Sequence, residues 1–272
     1  MIAVDFRRAA GFLSIFVYLA STSIAGCLPW AGVVNGGESG SLGTASRGLL
    51  LGGEHLANRG EHFRFYRARD RRYGIRELTG LVQRVSKTLD REFPGTVLLL
   101  GDLSGQGGGF ISEHHSHRSG RDVDLAFFVT SPSGKPIHGW PLTRFDRFGA
   151  GLREETVCRF DAERNWMAVE ALIADEESRV QWIFVSHGLK ALLLEWALNR
   201  GRDIEIIRRA ASILHQPGDS APHDDHFHVR IYCPDGAAGA RCKDLGPVWP
   251  WVEKGERGKR WTTKDLMALA LD

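Results

Sequence analysis

Six of the eleven histidines fall into two short windows, His114, His115 and His117 in one and His223, His226 and His228 in the other. His226 and His228 are two apart, so on a strand their side chains leave one face while Phe227, Val229 and Ile231 leave the other. The first window runs into Asp122 and Asp124, which share a face against Val123, Leu125 and Phe127. One face of each strand is core and the other is a site. Two strands that offer polar ligands from apolar backs constrain the fold more than any other feature of the chain.

A catalytic zinc site takes three protein ligands of the His and carboxylate type and keeps a fourth position for water. His117, Asp124 and His228 supply that set. Gly120 lies between the first two, where the lack of a Cβ lets the chain turn and bring His117 back over the strand bearing Asp124. His226, beside this set, suits a general base or a donor to an oxyanion. Asp102, Asp122, Asp224 and Asp225 read as structural groups that orient ligand imidazoles. The alternative, a chance cluster of exposed histidines without metal, is opposed by the same-face geometry at both strands.

Elsewhere the patterning is that of an α+β domain with a small, mainly antiparallel sheet carrying the site and helices flanking it. Leu78, Leu81, Val82, Val85 and Leu89 predict a helix over Arg76 to Phe93, stopped by Pro94-Gly95. Thr96 to Leu103 reads as a buried strand, Gly105 to Ser119 as a loop, and Asp122 to Val129 as a strand. Asp161 caps a helix through Ala174, Val180 to Val185 is a short strand, and two helices follow, one ending near Gly201 and one through Leu214. His226 to Tyr232 is the last strand. With 35 basic against 33 acidic side chains, nothing points to nucleic acid.

At the N-terminus Arg7 and Arg8 precede an apolar run from Ala9 to Ala20 and then Ile24-Ala25-Gly26-Cys27, the layout of a secretory signal over 1–26. The last four residues resemble a bacterial lipobox, in which Cys27 carries lipid and anchors the protein to a membrane, the outer membrane being favoured. The alternative is a plain cleavable signal and a soluble periplasmic protein. Residues 27–43 are Gly/Ser-rich and suit a tether, 44–250 form the domain, and 251–272 a C-terminal tail. Cys233 and Cys242 enclose a short Pro/Asp/Gly-rich loop that a disulfide can close in an oxidising compartment, which leaves Cys158 as a buried free thiol. The arginines from Arg67 to Arg72 either grip carboxylates of a peptide stem or are solvated and internally paired.

Ser116-His117-Arg118-Ser119-Gly120-Arg121-Asp122-Val123-Asp124 resembles a family pattern of Ser and His followed seven residues after the His by Asp, and His226-Phe227-His228 resembles its downstream His-x-His. Both are similar to the zinc peptidases that group lysostaphin-type enzymes, D-Ala-D-Ala peptidases and the hedgehog signalling domain. Within that group the closest resemblance is to the penicillin-insensitive murein endopeptidases, supported by Gly101-Asp102-Leu103-Ser104, His223 to Arg230 and Arg67 to Gly74. It extends from about Ser41 to Cys242. The resemblance implies a zinc-dependent cleavage of D-alanyl to meso-diaminopimelyl cross-links in peptidoglycan. It implies that His117, Asp124 and His228 bind Zn2+ and that His226 and His223 act in catalysis, His223 by supporting a ligand or contacting substrate. His114 is then a ligand of a weak second metal or a substrate contact. No serine or cysteine nucleophile is needed, hence insensitivity to β-lactams. The same site also suits a D-Ala-D-Ala carboxypeptidase or dipeptidase, or a zinc-containing wall-binding module without catalysis.

Overall fold

In the computed structural model, which describes residues 39–252 apart from 68, 139–141, 219 and 240, the chain enters through an antiparallel hairpin of β1 (Gly40–Gly43) and β2 (Gly48–Leu51). The hairpin begins inside the Gly/Ser-rich stretch whose composition suggests a tether, and its Ser39 and Ser41 are buried. β3 (Glu54–His55) later pairs with β5 (Tyr73–Gly74), and β4 (Phe63–Phe65) lies between them in sequence.

The predicted first helix is α1 (Arg76–Glu92). Its apolar stripe of Leu78, Leu81, Val82, Val85 and Leu89 is buried, and its first N–H, at Arg76, donates to Ser39 Oγ at 2.8 Å. The helix stops at Pro94-Gly95, where Gly95 adopts φ +85° and donates its N–H to Asp90 Oδ1 at 2.9 Å.

β6 (Leu98–Leu100) and β7 (Asp122–Ala126) follow, then β8 (Val129–Thr130), β9 (Pro136–Ile137), β10 (Ala150–Arg153) and β11 (Thr156–Phe160). The strand expected over Asp122 to Val129 is thus two strands in two sheets. The cause is Asn165, whose side chain accepts the N–H of Phe128 and donates to its carbonyl, at 2.9 and 2.8 Å. With both backbone groups taken, the ladder ends. β6 is shorter than the predicted strand, because Gly101 and Asp102 still bond to Asp124 but then turn away into a loop.

α2 (Ala162–Ala174) starts as predicted at Asp161, whose carboxylate accepts the Arg164 N–H at 3.1 Å. β12 (Val180–Phe184), α3 (His187–Asn199), α4 (Ile204–Ile213), β13 (Leu214–His215) and β14 (His226–Ile231) complete the order. The central sheet has six strands in the order β13-β12-β14-β7-β6-β4, and a second sheet of four strands runs β10-β11-β8-β9. In the central sheet β14 is antiparallel to both β12 and β7, and β7 to β6, while the edge strands β13 and β4 are parallel to their neighbours.

Val123, Leu125, Phe227, Val229 and Ile231 from β7 and β14 share one apolar cluster with Leu81, Val85 and Leu89 of α1 and Trp166, Val169 and Leu172 of α2. The helices therefore cover the apolar back of the sheet, and the architecture is α+β. Cys233 and Cys242 form a disulfide and Cys158 is a buried free thiol. Trp249 ties the last described residues to β12 by donating its indole N–H to the Gln181 carbonyl at 2.7 Å and packing against Trp182. Cys27 and 253–272 lie outside the described residues, among which no helix is long and apolar enough to cross a membrane.

Candidate metal centre

The pairing of β14 with β7 sets His228 opposite Asp124, His226 opposite Ala126 and Arg230 opposite Asp122. Directly opposed residues share a face, so the polar fronts of the two strands meet on the side away from the helices. The third contributor is a loop residue. His117 sits at φ +62°, uncommon for a residue with a Cβ, and Gly120 at φ +75°. Three bonds hold this turn. Ser104 Oγ donates to the His117 carbonyl and accepts the Gly120 N–H, while the His117 N–H donates to Asp122 Oδ2 at 3.0 Å.

Three imidazole nitrogens converge on one carboxylate oxygen. His117 Nε2 lies 3.1 Å, His226 Nε2 3.4 Å and His228 Nδ1 3.5 Å from Asp124 Oδ1. The donor atoms of His114, His117 and Asp124 lie within 4.8 Å of one another, and so do those of His223, His226 and His228. The set expected from the sequence takes His117 and Asp124 from one group and His228 from the other, and Asp124 Oδ1 touches both. His114 stands beside His117, with ring centroids 4.4 Å apart, and its Nε2 lies 3.0 Å from Asp102 Oδ2. His223 is 5.5 Å from the ring of His226 and 5.7 Å from that of His228. His115, the remaining member of the first window, is exposed and makes none of these contacts.

The carboxylates around this core orient it. Asp122 is wholly buried, and its Oδ1 accepts from Arg230 Nε at 2.6 Å and lies 3.1 Å from His228 Nε2. That contact commits Nε2 of His228 and leaves its Nδ1 facing Asp124. Burial opposes the charge on Asp122 and Asp124, yet Arg230 and His228 hold the first, and His117 and His226 the second, well below the usual carboxylate range. Burial pushes His228 down to about 3 and His223 to about 4, so both imidazoles are neutral at pH 7 with lone pairs free to ligate. Burial also works against protonation of His226, but Asp124 and Asp225 prevail and raise it to about 10. Its Nδ1 lies against Asp225 Oδ1. Burial likewise opposes protonation of His117, but Asp124 raises it, so the site favours positive charge at Asp124 while His223 and His228 present neutral nitrogens.

That combination fits a divalent metal. Nitrogen and carboxylate donors are the zinc type, and His117 Nδ1 and His223 Nδ1 are buried without a hydrogen-bond partner among the described residues. Phe184, opposite His228 on β12 and so on the same face, packs beside the imidazoles, its ring 5.1 Å from His228 and 5.7 Å from His223. Phe184, Arg230 and Ser104 were not visible as site residues in the sequence. Phe184 carries no local signal; Arg230 continues the polar face of His226 and His228, but its partner Asp122 is set only by the strand register; Ser104 lies next to the Gly-rich loop that it ties down.

Residues 41–269 match the family described as penicillin-insensitive murein endopeptidase. Among curated proteins, a penicillin-insensitive murein endopeptidase of Klebsiella pneumoniae subsp. pneumoniae is 28% identical over 256 residues, covering 92% of this chain and 86% of its own length. Proteins of the same name from Escherichia coli strain K12 and Shigella boydii serotype 18 are each 28% identical over 241 residues, with 85% of this chain and 80% of their own covered.

Proposed function

Because this chain belongs to the penicillin-insensitive murein endopeptidase family, we propose that it is a zinc-dependent D,D-endopeptidase that hydrolyses D-alanyl to meso-diaminopimelyl cross-links of peptidoglycan. The observation that carries this reading is the convergence of His117, His226 and His228 on Asp124 Oδ1. His117, Asp124 and His228 hold the ion. When bound there, zinc supplies Lewis-acid polarisation of a carbonyl and brings the pKa of water toward neutrality.

The remaining groups handle protons and substrate. His226, held at Nδ1 by Asp225, presents Nε2 toward the reacting centre, where it donates to negative charge developing on the scissile carbonyl or to the departing amine. His223 is neutral and lies against both His226 and His228, so it contacts the substrate as a hydrogen-bonding group. His114, fixed by Asp102, is a second metal ligand or a substrate contact. The protein works in the periplasm, tethered through lipid on Cys27; Cys27→Ser releases it from the membrane fraction if so, and unchanged membrane retention refutes the anchor.

The deciding experiment incubates the chain from Leu28 onward with purified cross-linked peptidoglycan, with and without a zinc chelator, and identifies products by mass. Chelator-sensitive conversion of dimeric to monomeric muropeptides is the expected result. Release of terminal D-alanine from intact dimers would identify a carboxypeptidase instead. Unchanged muropeptides in the presence of bound zinc would refute hydrolysis and favour a binding module, a result that His226→Ala, retaining zinc but losing turnover, would independently exclude.

A further inference from the structure

Beside the metal centre two guanidinium groups close on one exposed carboxylate. Arg69 Nη1 and Arg71 Nη1 donate to Glu113 Oε2 at 2.7 and 3.2 Å. Arg71 also donates to Asp102 Oδ2 at 2.9 Å and, through Nη2, to Ser112 Oγ at 3.0 Å, and Arg69 Nη1 reaches Asp102 at 3.5 Å. Asp102 in turn holds His114 at 3.0 Å, whose ring is 4.4 Å from His117. The arginine pair is thus joined to the metal-donor cluster through two side chains.

Charge and backbone both single out Glu113. Two guanidiniums face two carboxylates, and the buried one, Asp102, is shared with His114, so withdrawal of Glu113 leaves a full positive charge uncompensated next to the centre. The Glu113 side chain is 59% exposed, and its residue adopts φ +75°, a left-handed conformation unfavourable for a residue with a Cβ. Its pKa is lowered by Arg69 and then by Arg71. The loop that carries it is rich in glycine, with Gly108 and Gly109 at positive φ. A carboxylate on a strained, exposed loop position, held by arginines, is replaceable by a carboxylate from outside.

We propose that Arg69 and Arg71 form a subsite for the free carboxylate that adjoins the scissile amide, and that Glu113 occupies this subsite until substrate displaces it. This rests on the peptidase reading above and deepens it. In a D,D cross-link the scissile nitrogen is attached to a carbon that also bears a free carboxylate, and a terminal D-alanyl-D-alanine shares the feature. Planar guanidinium matches carboxylate in shape and charge. The subsite therefore selects bonds flanked by a carboxylate on the leaving-group side over ordinary peptide bonds, and Glu113 keeps the arginines paired and ordered between encounters.

The test measures binding by calorimetry on the full-length protein in detergent, using a ketomethylene isostere of a D-alanyl-D-alanine peptide prepared as the free carboxylate and as the carboxamide. Wild type binds the carboxylate form about tenfold more tightly, the order expected for one charge-assisted pair. Arg69→Gln abolishes that preference while leaving carboxamide affinity unchanged. Glu113→Gln, which empties the subsite, improves affinity for the carboxylate form alone. A purely structural role for the cluster cannot produce that gain. Equal affinity of wild type for both forms, or equal weakening of both by Arg69→Gln, overturns the proposal, as does Glu113→Gln binding no better than wild type. Turnover of muropeptide dimers is scored separately. Carboxylate preference without turnover supports the subsite and sinks the hydrolytic reading, whereas turnover without preference sinks the subsite alone.

Discussion

Replacing Asp122 by asparagine removes a charge that supports the proposed metal donors without being one of them. The carboxylate has three partners: the His117 N–H on Oδ2, and Arg230 Nε and His228 Nε2 on Oδ1. An amide cannot serve them all. With its oxygen at the Oδ1 position, the NH2 confronts the His117 N–H; flipped, it confronts Arg230 and His228. Either way at least one buried donor meets a donor, which costs about 1–3 kcal/mol. Loss of the charge opposite Arg230 carries the total toward the roughly 3–5 kcal/mol of a broken buried pair. We therefore expect Asp122→Asn to lower stability by about 2–4 kcal/mol and, because imidazole orientation is lost, to weaken zinc about 10–100-fold. Chemical denaturation of the chelated protein reads the first number, and competition with a chromophoric chelator reads the second. The pH dependence has a definite sign. Asp122 is held below its unfolded pKa of about 3.9, so its contribution is complete above that value and is lost as pH falls below it. The difference between wild type and variant should be constant from about pH 5 to 8 and shrink under about pH 4. A variant within about 1 kcal/mol of wild type and with unchanged zinc affinity would refute the claim that Asp122 orients the centre.

Three further outcomes follow from contacts elsewhere. A Cβ at Gly101 would lie 2.7 Å from Asp124 Cβ, so Gly101→Ala should displace that carboxylate, weakening zinc about tenfold or more in the same competition assay and costing about 1–3 kcal/mol. Cys233→Ser opens a disulfide of sequence separation 9 and should lower denaturation stability by about 2–3 kcal/mol on chain-entropy grounds, with zinc affinity retained. Asp175 accepts Arg84 Nε at 2.6 Å, Arg84 Nη2 at 3.0 Å and the Ser178 N–H at 2.8 Å. Burial works to raise its pKa, but these bonds lower it. Asp175→Asn should therefore cost about 1–2 kcal/mol at pH 7, half-exposed Arg84 discounting the pair, and the cost should fade below about pH 4 in denaturation series.

Which parts of this centre the sequence made legible depends on whether the information is local. Alternation along Asp122 to Ala126 and His226 to Ile231 assigns every side chain to a front or a back, because a strand has period two and a hydrophobic core accepts only one face. The pairing of those strands is not local. A shift of two residues would keep every front a front and yet set His226, rather than His228, opposite Asp124, so Arg230 as partner of Asp122 emerges only from the register. The same holds where strands stop. Hydropathy runs on unbroken from Leu125 through Val129, and the end is written by Asn165, 37 residues from Phe128. The hairpin of β10 and β11 escaped notice because its turn is Glu154-Glu155 at φ +47° and +66°, without the Asn-Gly or Asp-Gly that announces a turn of two left-handed residues. The β1–β2 hairpin has the composition of a linker, and its glycines serve a tight turn against buried serines. Ligand identity is thus carried by single residues, while ligand geometry is carried by pairs brought together across the sheet. The candidate donors can be named from the chain, but the groups that aim them, Asp122 and Arg230 from neighbouring strands and Ser104 under the His117 turn, belong to the fold, and substitutions there separate a metal centre from a coincidence of histidines.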